Sequence, residues 1–189
     1  MTRLITSENA NTPMKYYLAD MTWEEVQERS AKGEIAIIPT GSTEQHGRHL
    51  PLKTDIFIAS EISRRAVEKV WPRAKPVITP PVHFGYSPEH TYFPGTITVG
   101  YQVFVDLLKD ICASLNRHGF KKLVFFNGHG GNTMGGVLAT AMVEAKKETD
   151  AFIAMASWWE LCSKALAEVL ETPPNHACEM ETSVMLALG

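Results

Sequence analysis

The chain has 189 residues, a formal net charge of -3, 44% hydrophobic and 21% charged residues, enough for one globular domain with a sizeable core. Its Lys and Arg residues are scattered rather than clustered, which speaks against a polyanion-binding face, so no nucleic-acid partner is expected. No apolar run approaches the ~20 residues of a membrane span, and Met1 to Lys15 lacks the apolar centre of a secretory signal, so a cytoplasmic chain without a membrane partner is expected.

Taken in chain order, Thr22-Trp23-Glu24-Glu25 has the form of a capping box, with Gly33 placed to end the helix it opens. Ile35 to Pro39 is a continuous apolar run, the pattern of a strand buried on both faces. From Asp55 to Trp71 apolar residues recur at helical spacing until Pro72 stops them. Val77 to Thr79 is a second short strand, and Pro80 to Gly100 is a long Pro-, Gly-, Tyr- and His-rich segment of the kind that carries function. Phe104, Leu107, Leu108, Ile111 and Leu115 form a helical stripe ending at Gly119. Lys122 to Phe126 is a third strand, followed by the turn Asn127-Gly128-His129-Gly130-Gly131-Asn132. A helix from about Thr133 to Glu148 and a strand from Ala151 to Ala156 complete the alternation. Strands alternating with helices predict an α/β domain on a largely parallel sheet, whose ligands sit beyond the carboxyl ends of the strands.

Two polar loops lie at such ends. The first, Thr40 to Asp55, presents Glu44, His46 and Asp55; the second presents His129. Carboxylates and imidazoles are ligands that Zn2+, Mn2+ and Fe2+ accept. Gly128, Gly130 and Gly131 remove side-chain bulk and permit positive φ, so backbone can pass close to an ion. A third cluster, His176-Ala177-Cys178-Glu179-Met180-Glu181-Thr182-Ser183, opens another helix. Together these groups suit a dinuclear site with one bridging carboxylate. The glycine turn can also be read as a phosphate loop, although it matches neither GxGxxG nor GxxxxGK[ST]. Ser87, His90 and Gly130 are candidate substrate contacts. Trp158 and Trp159 are candidates too; adjacent indoles do not easily face the same way, and core is their commoner role. The three cysteines, Cys112, Cys162 and Cys178, have no CxxC spacing and read as reduced thiols.

These motifs carry a resemblance. Gly41-Ser42-Thr43-Glu44-Gln45-His46-Gly47, Leu50-Pro51-Leu52-Lys53-Thr54-Asp55, Asn127 to Asn132 and His176 to Ser183, with Gly85 to His90 and Phe93 to Thr98, resemble the creatininase (creatinine amidohydrolase) family from about Tyr17 onward. The resemblance implies a three-layer α/β/α sandwich and two divalent metal ions, Zn2+, Mn2+ or Fe2+. It further implies hydrolysis of a cyclic amide, formamide or related C–N bond of a small-molecule substrate, and a homo-oligomer. By the family pattern Glu44 and His129 hold one metal, His46 the other and Asp55 both, while His176 faces substrate. Relatives act on creatinine, a formylated pyrimidine, a peptide-derived redox cofactor or an oxidised inositol ring, and the family does not choose among them. A metal-supported binding protein without turnover is the alternative.

Departures from the pattern set further expectations. Arg48 stands where many relatives carry Pro, adding a positive charge near the pocket mouth that favours an anionic substrate. Cys178 stands where they usually carry Gly. The chain stops at Gly189 within an apolar helical pattern that relatives continue, so residues 1–189 are expected to be one domain truncated at its C-terminal end. Where creatininase has a ligating glutamate two residues after the histidine of the third-strand turn, this chain has Gly131. Glu179 is expected to replace that ligand and bind the metal held by His46, leaving Glu181 to orient His176 or a ligand from behind and so to count with His176 as catalytic.

Overall fold

The computed structural model describes residues 14–189; most of the polar stretch Met1 to Lys15 lies outside them. Among the described residues four strands, β1 (Ala36–Thr40), β2 (Val77–Ile78), β3 (Lys122–Asn127) and β4 (Phe152–Ser157), form one sheet in the order β2-β1-β3-β4, every pair parallel. Parallel neighbours require crossovers, and helices supply them: α2 (Thr54–Val70), α3 (Tyr101–Arg117), α4 (Gly130–Met134) and α5 (Val137–Glu148). They are preceded by α1 (Trp23–Ala31) and followed by α6 (Trp158–Leu161), α7 (Ser163–Val169) and α8 (Glu179–Leu188).

Alternation along β3 separates the two faces of the sheet. Leu123 and Phe125 pack with Phe104, Leu108 and Cys112 of α3 and Leu138 and Ala141 of α5. Phe126 instead packs with Ile58 of α2, Trp158 and Met180 of α8. Helices therefore cover both faces, giving the three-layer α/β/α arrangement. Thr22 caps α1 by accepting from the Glu25 N–H while the Glu25 carboxylate accepts from the Thr22 N–H, the predicted capping box. The single helix expected over 133–148 is two helices: Gly136 adopts φ 69°, a left-handed conformation open to glycine, and breaks the chain between α4 and α5. Among the described residues no helix is long and apolar enough to cross a membrane.

The sheet register brings three polar strand ends side by side. Thr40 pairs with Asn127, and Asn127 with Ser157. The loops that leave these ends are stitched together by two asparagines. Asn127 Oδ1 accepts from the His129 N–H at 3.2 Å, and its amide donates to the His129 carbonyl at 2.7 Å. Asn132 donates to the Gly41 carbonyl at 3.3 Å and accepts from the Tyr86 N–H at 3.1 Å.

Candidate metal centre and substrate cavity

Glu44, His46, Asp55 and His129 are 1%, 0%, 2% and 3% exposed, a concentration of charge that burial does not tolerate without compensation. Asp55 comes from the first turn of α2 and stands at the centre. Its Oδ1 lies 2.9 Å from Nε2 of His46, and its Oδ2 lies 3.0 Å from Nδ1 of His129. Glu44 Oε1 lies 3.4 Å from the same His129 nitrogen, and Glu181 Oε1 lies 3.9 Å from His46 Nε2. Among the described residues three groups of side chains have ligand atoms close enough to share an ion: Glu44, Asp55 and His129; His46, Asp55 and Glu181; Glu44, His46 and His176.

The tautomers follow from the far side of each ring. A carbonyl oxygen can only accept, so Nε2 of His129, 3.0 Å from the Tyr86 carbonyl, carries the hydrogen, and so does Nδ1 of His46, 3.1 Å from the Glu44 carbonyl. The neutral rings then turn bare nitrogen lone pairs toward carboxylates. Lone pair against carboxylate is repulsive unless a proton or metal cation lies between. Glu44 Oε2 and Asp55 Oδ2 are moreover buried without a hydrogen-bond partner among the described residues. A histidine whose second nitrogen is fixed by a carbonyl, beside orphaned carboxylate oxygens, is the donor arrangement of a metal ligand set, and the residues present fit divalent cations.

The electrostatics point the same way. Burial opposes charge on His129, but the Asp55 and Glu44 carboxylates raise its pKa; burial likewise works against Glu44, whose pKa His129 nevertheless pulls down. For Glu181 burial dominates: the positive charge of a protonated His46 opposes it and the negative charges of Asp55 and Glu44 add to it, and the carboxyl is pushed up to about 7. His176 is lowered, first by burial and then by the neighbouring His46 cation.

Glu179 lies outside this centre. Its carboxylate accepts from the N–H of Glu171 and Thr172 and from the Thr172 hydroxyl at 2.8 Å, so the expectation that it replaces the missing ligand is corrected. Residues two apart on a helix diverge by about 200°, and α8 turns Glu181 inward. Glu181 also accepts from the Ala177 N–H, which holds it in place. Among the described residues no hydrogen bond joins Glu181 to His176, whose Nε2 donates to the Gln45 carbonyl at 2.7 Å.

A cavity of about 360 Å³ opens over these groups, lined by Glu44, Asp55, His129, His176 and Glu181 and also by His90, Gly130, Trp159, Glu89 and Glu160. His90, Gly130 and Trp159 thus stand where substrate contacts were expected, and two of the candidates do not. Ser87 is buried behind His129, its hydroxyl 3.1 Å from Nε2. Trp158 is 3% exposed in the core with Ile58 and Met180, set edge-on to Trp159 at 85°. Arg48 is exposed and does not line the cavity, so the positive charge expected at its mouth is absent from it. None of Gly128, Gly130 and Gly131 adopts positive φ, so the conformational freedom glycine permits there is not used. What Gly128 and Gly131 provide is room: a Cβ on Gly128 would overlap the Asp55 carbonyl, and one on Gly131 would overlap Nε2 of His129 and the Tyr86 carbonyl. The sequence reading missed Asn132, Glu89 and Glu160. Asn132 and Glu89 lie within motifs that carry the resemblance, with no role marked for them; Glu160 carries no local signal.

The family model for creatinine amidohydrolase matches residues 19–189. The chain belongs to the creatininase family. It is 33% identical over 184 residues to a 3-dehydro-scyllo-inosose hydrolase of Thermotoga maritima, covering 93% of this chain and 57% of that protein. It is 36% identical over 157 residues to a mycofactocin precursor peptide peptidase of Mycolicibacterium smegmatis, covering 82% of this chain and 58% of the relative. The chain thus spans little more than half the length of these two relatives. Among solved structures, a manganese creatininase superposes with a TM-score of 0.81 at 26% identity, over 92% of this chain and 73% of that one. Structures of this fold have been solved with zinc as well as manganese.

Proposed function

We propose that the chain is a metal-dependent hydrolase cleaving a C–N bond of a small, polar substrate, with two divalent ions, Zn2+, Mn2+ or Fe2+, at the strand ends. The observation that carries this reading is the Asp55 carboxylate, which turns one oxygen to His46 and the other to His129. Glu44, Asp55 and His129 would hold one ion, and His46, Asp55 and Glu181 the other. Ions bound there supply Lewis acidity and lower the pKa of a water toward about 7.

The chain's own groups would supply proton transfer and binding. His176, kept neutral by burial, turns Nδ1 toward the cavity. It can take a proton from water as the C–O bond forms and deliver it to the nitrogen as the C–N bond breaks. Trp159 offers a flat apolar surface to a ring. Among the described residues lining the cavity there is no lysine or arginine, whereas Glu89 and Glu160 add negative charge. That favours a neutral or cationic substrate over a phosphate ester, and sets this chain apart from relatives named as monophosphate deformylases of Methanocaldococcus infernus and Methanococcus maripaludis.

Turnover of lactams, formamides, a short peptide amide and an oxidised inositol by the Mn2+-loaded protein tests the reading. Chelator-sensitive hydrolysis of an uncharged or cationic lactam, formamide or peptide amide supports it, whereas turnover of the inositol alone, which has no C–N bond, would replace C–N cleavage by opening of a ketone-bearing ring. Metal binding without turnover of any member would favour a metal-supported binding protein. We further propose self-association over the exposed side chains of Phe84, Tyr92, Phe93 and Ile97, which sedimentation reads directly.

A further inference from the structure

Beside the metal-facing groups stand two imidazoles in face contact: the rings of His90 and His176 stack at 4.4 Å with 23° between their planes. Both line the cavity. One nitrogen of each approaches the same oxygen, Glu44 Oε1, with His90 Nε2 at 3.7 Å and His176 Nδ1 at 3.6 Å. Gln45 reaches the opposite edge of the pair, and its own orientation is fixed. The backbone N–H of Gly47 donates to Gln45 Oε1 at 2.9 Å, so the other end of the side chain is the NH2 group. The Gln45 backbone is held as well, its N–H donating to Thr96 Oγ1 at 3.1 Å.

From these fixed points the ring hydrogens follow. The Gln45 amide nitrogen lies 2.8 Å from His90 Nδ1 and can only donate, so His90 Nδ1 accepts and the hydrogen sits on Nε2, the cavity side. The Gln45 carbonyl lies 2.7 Å from His176 Nε2 and can only accept, so His176 carries its hydrogen on Nε2, away from the cavity, and presents a bare Nδ1. The Gln45 amide nitrogen is also 2.9 Å from His176 Nε2, but two donors do not bond, and the shorter contact to the carbonyl decides.

We propose that Gln45 is a positioning residue that sets two stacked histidines to opposite polarity, His90 offering a hydrogen-bond donor and His176 an acceptor side by side to the substrate. The group that matches is one with an acceptor next to a donor, as in the C(=O)–N–H of an amide or lactam or the C=N–C–N–H of a cyclic guanidine. An ester, which has no N–H, leaves Nδ1 of His176 unmatched. The ester is disfavoured because a half-buried ring nitrogen is left without a partner. The substrate class rests on the hydrolytic reading given above, but the polarity of the rings does not.

The test is the protonation of the two rings in the Zn2+-loaded, 15N-labelled protein, read from long-range 1H–15N correlations, with zinc content measured on the same samples. Both histidines should show the Nε2–H form in the native chain. Gln45→Glu keeps the acceptor for Gly47 and replaces the donor by an acceptor, so His90 should gain a proton on Nδ1 while His176, held by the unchanged backbone carbonyl, keeps its pattern. Gln45→Met, which removes the donor without adding an acceptor, should give His90 a mixture of forms and again leave His176 alone. His90 found as Nε2–H alone in both variants, or His176 changing in step with it, overturns the proposal. Absence of bound zinc in samples with the expected ring patterns would count against the hydrolytic reading and leave the role of Gln45 standing.

Discussion

Glu179 and Glu181 lie two residues apart on α8 and serve opposite sides of the helix: the first holds the 171–172 backbone, and the second reaches to 3.9 Å from His46. Glu181→Gln is expected to lose one of two bound ions and at least about tenfold in affinity for it, the scale on which ligand and supporting groups act. Glu179→Gln should keep both ions. Metal analysis after dialysis distinguishes them, and two tightly held ions in Glu181→Gln would remove that residue from the ligand set.

Gly131 leaves no space for a side chain. A Cβ there would meet His129 Nε2 and the Tyr86 carbonyl, and neither is the free end of a flexible chain. Gly131→Ala should therefore turn His129 away from Asp55 and weaken metal binding while leaving the far-ultraviolet dichroism unchanged. Gly130→Ala is the control, because a Cβ there meets only the end of Met134, at 3.4 Å. Equal metal affinity in the two variants would show that the close fit at Gly131 does not govern the site.

At the other end of the molecule the capping box is expected to respond to pH. Lys15 first, and then the Thr22 N–H, lower the Glu25 pKa from its ordinary value of 4.5. A carboxyl lowered in the folded state gives stability that is present above the unfolded pKa and is lost as pH falls through the folded one. An NMR titration of the Glu25 carboxyl should thus show a midpoint below 4.5. Thr22→Ala should cost about 1 kcal/mol in urea unfolding at neutral pH. A midpoint at or above the ordinary value would contradict the geometry of the box.

Cys112 is fully buried between α3 and the sheet, and burial pushes its thiol up to about 12. Because the thiolate is the reactive form, iodoacetamide at pH 8 should leave Cys112 unmodified in the folded protein and label it only in denaturant. Peptide mapping reads this. Labelling of Cys112 as fast as half-buried Cys178 would mean that the core opens on the timescale of the reaction.

Much of the fold was legible because its signals are local. The apolar run before Thr40, the stripe from Phe104 to Leu115 and the box at Thr22 each announce an element within a few residues. The α5 start was marked by Gly135-Gly136 and still read through, since the apolar spacing continues across the break. The sequence carries no such signal over α7, where no residue is buried. At the site, residue types and loops were readable, but the phase of α8 was not: Glu179 and Glu181 are both carboxylates, and only the packing of Met180 beside Trp158 and Ile58 fixes which one turns inward. The same limit separates Trp158 from Trp159. Gln45 stood in a quoted motif with no visible role, because the side chains it orders, His90 and His176, are 45 and 131 residues away.

The most direct test of a dinuclear centre bridged by Asp55 is a calorimetric titration of Zn2+ into the chelated protein, run on the native chain and on Asp55→Asn. The account predicts two ions per chain for the native protein and loss of tight binding at both positions in the variant, since one carboxylate serves His46 and His129 alike. Two tightly bound ions in Asp55→Asn, or a native stoichiometry below two, would contradict it.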